Sequence, residues 1–466
     1  MVGRSRRWFL GSAGAGAVVC AAGARARSAM TKQLTSRERV EQALVAIDAP
    51  AGEGTRVFLA VHRESALASA DRIDATRKRG ATLLPLAGLP ISIKDNFDEA
   101  GITTLAGSTV LKGAPPAARD ATAVARLRAA GAVIIGRTNM TEFAYSGVGI
   151  NPHYGTPRNT FDRPAARIPG GSSSGAAVSV ADGMAWAAIG TDTGGSVRIP
   201  AALNGLVGFK PSAHRVPLEG VLPLSTTFDS VGPIARSVAD CVLLDRVLAA
   251  DDLELPALSL RGLRFAVPQT LTLDELSPAV ANAFATALTR LSAAGATIIE
   301  TPMAVFTRAA VVNPRGAISS AEAFKWHRHW LESGVDQYDP RVLARIRPGE
   351  SISDSVYAGL LEARRQFVRE VAAAAQGYDA MLMPTTPETA PTIAEVIASD
   401  ESYFRLNSRM LRNPGLVNVF DGCALSIPCQ VPGTAPVGFM IAGLRDQDAR
   451  ILAIGQAAEA LLRQGS

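Results

Sequence analysis

Apolar and polar positions repeat along this chain with two periods. Thr35-Ser36-Arg37-Glu38 has the spacing of a capping box, and the residues behind it keep apolar side chains on one helical face as far as Val45. A second helical stretch runs from Ser65 to Arg79. Pro90-Ile91-Ser92-Ile93-Lys94 then alternates like a strand, Thr122 to Ala130 reads as helix, and Ala132 to Gly136 is a short buried strand. Further on, Gly262 to Pro268 reads as strand and Ser277 to Ala294 as a long helix with Pro278 in its first turn. Ala380 to Pro384 reads as strand, and Asp446 to Leu462 as the closing helix. Helix and strand alternate, so the class is α/β. No internal repeat and no long Gly/Ser/Pro linker interrupts the body, and one domain over residues 30–466 is the expectation.

The first thirty residues follow a different pattern. Ser5-Arg6-Arg7-Trp8-Phe9-Leu10 precedes a small-residue apolar run from Phe9 to Ala22, followed by Ala22-Gly23-Ala24 and Ala24-Arg25-Ala26, both of the small-x-small cleavage type. This is the pattern of a twin-arginine signal over residues 1–29, with the twin-arginine export machinery as its partner and the periplasm or the exterior as its destination. Met30 as the true start would instead leave the protein in the cytoplasm. The apolar run falls short of the roughly 20 residues needed to span a bilayer, and no later stretch supplies them, so no stable membrane span is expected.

Charge sharpens the picture by subtraction. Arg4, Arg6, Arg7, Arg25 and Arg27 sit in a segment without Asp or Glu and account for the whole formal charge of +5. The remaining body is neutral and has no basic run, which argues against nucleic acid as a partner. Cys20, Cys241, Cys423 and Cys429 form no C-x-x-C pair, and His327 and His329 lie two apart in a helical stretch, off a common face. No metal and no cofactor is expected.

Lysine is scarce, and Lys94 follows the apolar run Leu89-Pro90-Ile91-Ser92-Ile93, where an ammonium loses hydration. Burial lowers a lysine pKa and lets the amine accept a proton. The competing reading pairs Lys94 with the adjacent Asp95 at a strand end. Two Gly/Ser turns bear on that choice: Gly170-Gly171-Ser172-Ser173-Ser174-Gly175, and Gly190 to Pro200 containing Asp192-Thr193-Gly194-Gly195-Ser196-Val197-Arg198. Glycine lets the backbone approach closely, so such turns can bring hydroxyls and free N–H groups to one point. Amide hydrolysis needs an activated nucleophile, a proton for the leaving nitrogen, and donors aimed at a developing oxyanion.

Gly88 to Asp95, Pro169 to Gly175, and Gly190 to Pro200 continuing to Gly208-Phe209-Lys210-Pro211 together resemble the amidase signature family. The likeness is closest from about Leu86 to Ala239 and weaker from Thr35 to Leu462. It implies a large mixed β-sheet covered by helices on both faces. It also implies a Ser–cis-Ser–Lys triad with Ser196 as nucleophile, Ser172 as bridge behind a cis Gly171–Ser172 bond, and Lys94 as base. Ser172 is favoured over Ser173 and Ser174 by the family spacing of 24 residues to Ser196. On the same likeness, backbone N–H groups of Thr193, Gly194 and Gly195 hold the oxyanion, Ser173 supports the network, and Asp192 and Arg198 brace the nucleophile turn. The implied reaction converts a small-molecule carboxamide to acid plus ammonia or amine, and the likeness is compatible with a homodimer.

Three rival readings remain on the sequence. Gly171-Ser172-Ser173-Ser174-Gly175 fits G-x-S-x-G, which makes Ser173 the nucleophile of an α/β-hydrolase and needs His214, His327 or His329 as base. A protein similar to the A chain of tRNA-dependent amidotransferases works only with partner chains. A binding module uses the Gly-rich turns to cradle an anion without catalysis, although Gly-x-x-x-x-Gly-Lys-Ser/Thr is absent. Substrate choice is expected in three less regular segments, 143–154, 316–330 and 413–430, with Tyr145, Trp326, Trp330 and Phe420 as candidate pocket aromatics and Cys423 as a buried filler.

Overall fold

The strands of the computed structural model, which describes residues 34–332 and 334–463, form one sheet of eleven. They are β1 (Phe58–Val61), β2 (Pro90–Lys94), β3 (Val133–Thr138), β4 (Ala187–Thr191), β5 (Val207–Lys210), β6 (Val231–Ala235), β7 (Arg264–Pro268), β8 (Thr297–Thr301), β9 (Ala380–Pro384), β10 (Cys423–Pro428) and β11 (Gly438–Gly443). Their order is β1-β3-β2-β4-β6-β5-β10-β11-β9-β7-β8. β2 runs parallel to β3 and β4, and β7 parallel to β8 and β9, while the middle of the sheet from β4 through β6, β5, β10 and β11 to β9 is antiparallel. The twin-arginine pattern, Cys20 and the alternative start at Met30 lie outside the described residues.

Side chains alternate across a strand, and here both faces are covered. Ala380 and Leu382 of β9, Leu425 and Ile427 of β10, and Phe439 and Ile441 of β11 enter one large apolar cluster. Their neighbours Met381, Met383, Ala424, Met440 and Ala442 enter another on the opposite face. The mixed sheet with helices on both faces is therefore present, and the described residues from Thr35 onward form one compact unit.

Most predicted elements appear within a few residues of their expected ends. Thr35 caps the helix Ser36–Asp48 with the reciprocal Glu38 bond, and helices follow at Arg63–Lys78, Thr122–Ala129, Pro278–Ala293 and Asp448–Arg463. Two segments expected to be less regular are helical over much of their length, the first in keeping with the helical reading of the His327–His329 stretch. Residues after Gly316 form the helix Ala317–Leu331 because Ala323 packs with Phe143, Tyr338 and Val342 in a shared core. Helix Asp400–Val419 continues through Pro414, since Leu406 and Met410 pack in one apolar cluster and Leu416 and Val417 in another across the missing N–H. Only the stretch after Phe143 remains largely irregular, with positive φ at Phe143 and Ala144. Among the described residues no helix is long and apolar enough to cross a membrane.

Topology already gathers the unusual residues. Lys94 ends β2 and Thr191 ends the adjacent parallel β4, so both lie at the carboxyl edge where ligands of α/β sheets bind. β6 is antiparallel to β4, which brings Asp229 and Ser230, just before β6, to the same edge. Helices Ser174–Ala181 and Arg198–Leu203 start at the two Gly/Ser turns and are buried almost throughout. Their alanines, Ala176, Ala177 and Ala201, pack with Ala188 and Ile234 of the sheet, and such small contacts let the helices lie close to it.

Candidate active site

Lys94 is fully buried, as its apolar flanks predict, and its Nζ donates to Ser172 Oγ at 2.7 Å and to Thr191 Oγ1 at 2.8 Å. Asn96 Nδ2 also donates to Thr191 Oγ1, at 3.1 Å. Asp95 is not the lysine's partner, because Arg137 takes it at 2.9 Å and the Gly107 N–H at 3.0 Å. Burial pushes the Lys94 ammonium down to about 7, with Asp229 and Asp192 pulling weakly the other way. Near neutral pH this amine therefore exchanges a proton readily.

Ser172 is held from both sides. The Gly171–Ser172 peptide bond is cis, Thr141 N donates to Ser172 O, and Gly171 N donates to Gly147 O. A Cβ at Gly171 would stand 2.6 Å from Gly149 N, so the turn tolerates no side chain there. Ser173 is fully buried and donates its N–H to Ser196 O at 3.3 Å, which ties the two Gly/Ser turns together. No histidine contacts Ser173 among the described residues. His214 is exposed, His329 is exposed, and His327 is buried against Tyr338 OH, its imidazole pushed down to about 3 by burial.

The second turn winds around Asp192. Its carboxylate accepts from the N–H groups of Gly195 at 2.9 Å and Val197 at 3.1 Å, and is clasped by Arg198 through Nη2 at 2.8 Å and Nε at 3.0 Å. Burial acts to raise the Asp192 pKa, but Arg198 beside it outweighs this and holds the carboxyl ionised well below the usual range. Arg198 in turn reaches Pro414 O and Asn418 Oδ1, binding the turn to helix Asp400–Val419. Gly195 has φ +126 and its Cβ would stand 2.5 Å from Pro414 Cβ, so glycine is required by conformation and by space.

Of the three expected oxyanion donors, the turn commits one elsewhere. The Gly195 N–H points back to Asp192, whereas Thr193, Gly194 and Ser196 line a cavity of about 890 Å³. The reason is the carboxylate at the centre of the turn, which needs more N–H partners than Arg198 alone supplies. The Thr193 hydroxyl donates to Asp229, which also accepts the Leu224 and Ser225 N–H groups; burial nevertheless pushes this carboxyl up to about 6.

Each of the three segments expected to shape substrate choice contributes to the cavity wall: Tyr145 and Ser146 from the first, Ser319 and Ser320 from the second, Gly415 and Asn418 from the third. Among the four candidate aromatics only Tyr145 lines it. Trp326 and Trp330 pack in a neighbouring core, Phe420 stacks on Phe306, and Cys423 is buried in β10. Sequence reasoning missed Thr191, Asn96, Asn418, Asp229 and Arg345. Thr191 lies inside the Gly190 to Pro200 motif, but the others are placed only by the fold.

The chain matches the family model Amidase over residues 38–452. It is 36% identical to the 2-amino-5-chloromuconic acid deaminase of Comamonas testosteroni, covering 86% of this chain and 87% of that one. It is 35% identical to the A subunit of the glutamyl-tRNA(Gln) amidotransferase of Symbiobacterium thermophilum, over 91% and 93% of the two chains. It is also 35% identical to the mandelamide hydrolase of Pseudomonas putida, over 93% and 90%. A crystal structure described as an amidase superposes with a TM-score of 0.82 at 33% identity, over 92% of this chain and 96% of that one.

Proposed function

The chain belongs to the amidase family, whose members named above include hydrolases of C–N bonds, and from that premise we propose that it cleaves a carboxamide through an acyl-enzyme on Ser196. Ser196 Oγ attacks the carbonyl carbon while its proton passes to Ser172 and the Ser172 proton passes to neutral Lys94. The oxyanion is received by the backbone N–H groups of Thr193 and Gly194, two residues of the cavity wall, an arrangement worth roughly 3 to 4 kcal/mol per donor in other enzymes. The C–N bond then breaks, and the same relay returns a proton to the departing nitrogen. Water, deprotonated by the relay, releases the acid.

The observation that carries this reading is the 2.7 Å contact from Lys94 Nζ to Ser172 Oγ, wholly buried, with the lysine pushed down to about 7. Its Nζ meets two hydroxyls, Ser172 and Thr191, and no carboxylate, so burial favours the neutral amine that can take a proton from Ser172. The test is mass spectrometry of the purified protein after a fluorophosphonate probe, comparing the parent with Ser196→Ala and Lys94→Ala. The expected adduct sits on Ser196, is lost in the first variant and forms more slowly in the second. An adduct on Ser173, undiminished without Lys94, would replace this reading with the α/β-hydrolase one.

A second reading has its own support, the 35% identity to an amidotransferase A chain over nearly the whole length. The export pattern of the first thirty residues favours an enzyme that acts alone. Hydrolysis of simple carboxamides by the isolated chain, without glutamine or a partner, separates the two, because a partner-dependent chain would leave them intact.

A further inference from the structure

The charged residues lining the cavity that holds Ser196 are all arginines. Arg315, Arg345 and Arg412 reach it, and among the described residues no aspartate or glutamate does. Arg412 is committed to the protein, donating to Asn413 Oδ1, Asp274 O and Thr272 O. Arg315 is exposed on a turn with φ +51.

Arg345 differs from both. Its guanidinium lies over the Tyr145 ring at 4.4 Å, and Nη1 donates to Tyr145 O at 2.7 Å. Tyr145 OH meets Ser320 Oγ at 3.0 Å, and Ser320 Oγ donates to Arg345 O at 3.0 Å, so the arginine and the aromatic brace each other through one serine. The side chain is thereby held in place at little entropic cost to a ligand. Yet it has no carboxylate partner among the described residues. Arg341 has Asp400 at 2.8 Å, Arg364 has Asp421 at 3.1 Å, and Arg409 has Glu275 and Glu388.

Two acids behind the wall, Asp229 and Glu322, are already engaged. Asp229 accepts from Thr193, Leu224 and Ser225, while Glu322 accepts from Ser225, Thr227 and Tyr357. Neither forms an ion pair with a cavity arginine. A fixed, half-buried guanidinium with open donors, in a cavity whose wall also carries the apolar side chains of Leu224, Phe228 and Leu411 among its serines and asparagines, suits a ligand with a short apolar part and an anionic end.

We propose that the substrate is an amide whose acyl part carries a second, ionised carboxylate, and that Arg345 receives that carboxylate while Ser196 faces the amide. The inference rests on the reading of Ser196 as nucleophile. Its ligand class is a dicarboxylic acid monoamide.

The experiment measures how substrate-like compounds slow fluorophosphonate labelling of Ser196 in the full-length protein. The probes are the monoamides of succinic, glutaric and adipic acids, each paired with its neutral counterpart: butyramide, valeramide and hexanamide. At least one anionic probe is expected to protect at roughly tenfold lower concentration than its neutral counterpart, the size of a charge-assisted contact. Added salt narrows that ratio, Arg345→Gln brings it near one, and Arg345→Lys restores part of it. Equal protection by anionic and neutral probes in the parent, or a ratio unchanged in Arg345→Gln, overturns the inference and leaves Ser196 intact as nucleophile. Absence of labelling in the parent overturns the nucleophile assignment and this inference with it.

Discussion

Around Ser196 the charged side chains are matched to partners. Asp192 has Gly195, Val197, Arg198 and Asn418; Lys94 has Ser172 and Thr191; Asp229 has Thr193, Leu224 and Ser225. Across the same cavity Arg345 holds one carbonyl and one ring face and is otherwise open, on a wall of short helices and turns with positive φ at Arg315 and Gly316. The difference separates two jobs. A site that moves protons needs its groups pre-aimed and protected from water, which internal saturation provides. A site that selects a ligand needs donors the protein itself has not used.

The comparison breaks most visibly if the saturated side loses its base. Lys94→Ala is expected to lower kcat/KM for any amide by about 10⁴-fold or more with the fold intact, since triad members act as a unit. Steady-state kinetics beside circular dichroism checks it, and a loss under tenfold would remove Lys94 from the mechanism.

Next in size is the brace. Arg198→Met leaves the fully buried Asp192 ionised without its cation, and loss of one partner of such a pair costs about 3 to 5 kcal/mol. Urea denaturation reads this directly. A change below about 1 kcal/mol would mean that the backbone donors alone suffice for Asp192.

A smaller effect follows from protonation. Because burial lowers Lys94 to about 7, the neutral, proton-accepting form predominates above that pH and is lost below it. For a substrate that does not itself titrate there, kcat/KM should be flat on the alkaline side. It should fall about tenfold per pH unit on the acid side, with the break near 7. A profile level down to pH 5 would show that the amine is not the base. The selectivity ratio carried by Arg345 is the smallest of these effects and the only one that tests the open wall.

How much of this was legible beforehand follows the range of the interactions. The capping box at Thr35, the helix with Pro278 in its first turn, and the strand ending in Lys94 are local patterns, and each formed near its predicted bounds. Helix Asp400–Val419 was hidden by Pro414, whose missing N–H is offset by contacts with residues distant in sequence. The Gly195 N–H was expected to face substrate, and its diversion to Asp192 depends on the path of a turn that spacing alone does not specify.

The amino-acid sequence by itself determined the class of the fold, the family likeness, and the presence of a lysine in surroundings too apolar for a comfortable charge. Those are properties of neighbours along the chain. That Asp95 goes to Arg137 rather than to Lys94, that Lys94 meets Ser172 and Thr191, and that Arg345 lines the cavity without a carboxylate were decided only by the tertiary structure. The physical reason is that pairing and desolvation depend on distances through space, and residues 78, 97 and 42 positions apart in these contacts are brought together only when the sheet is assembled.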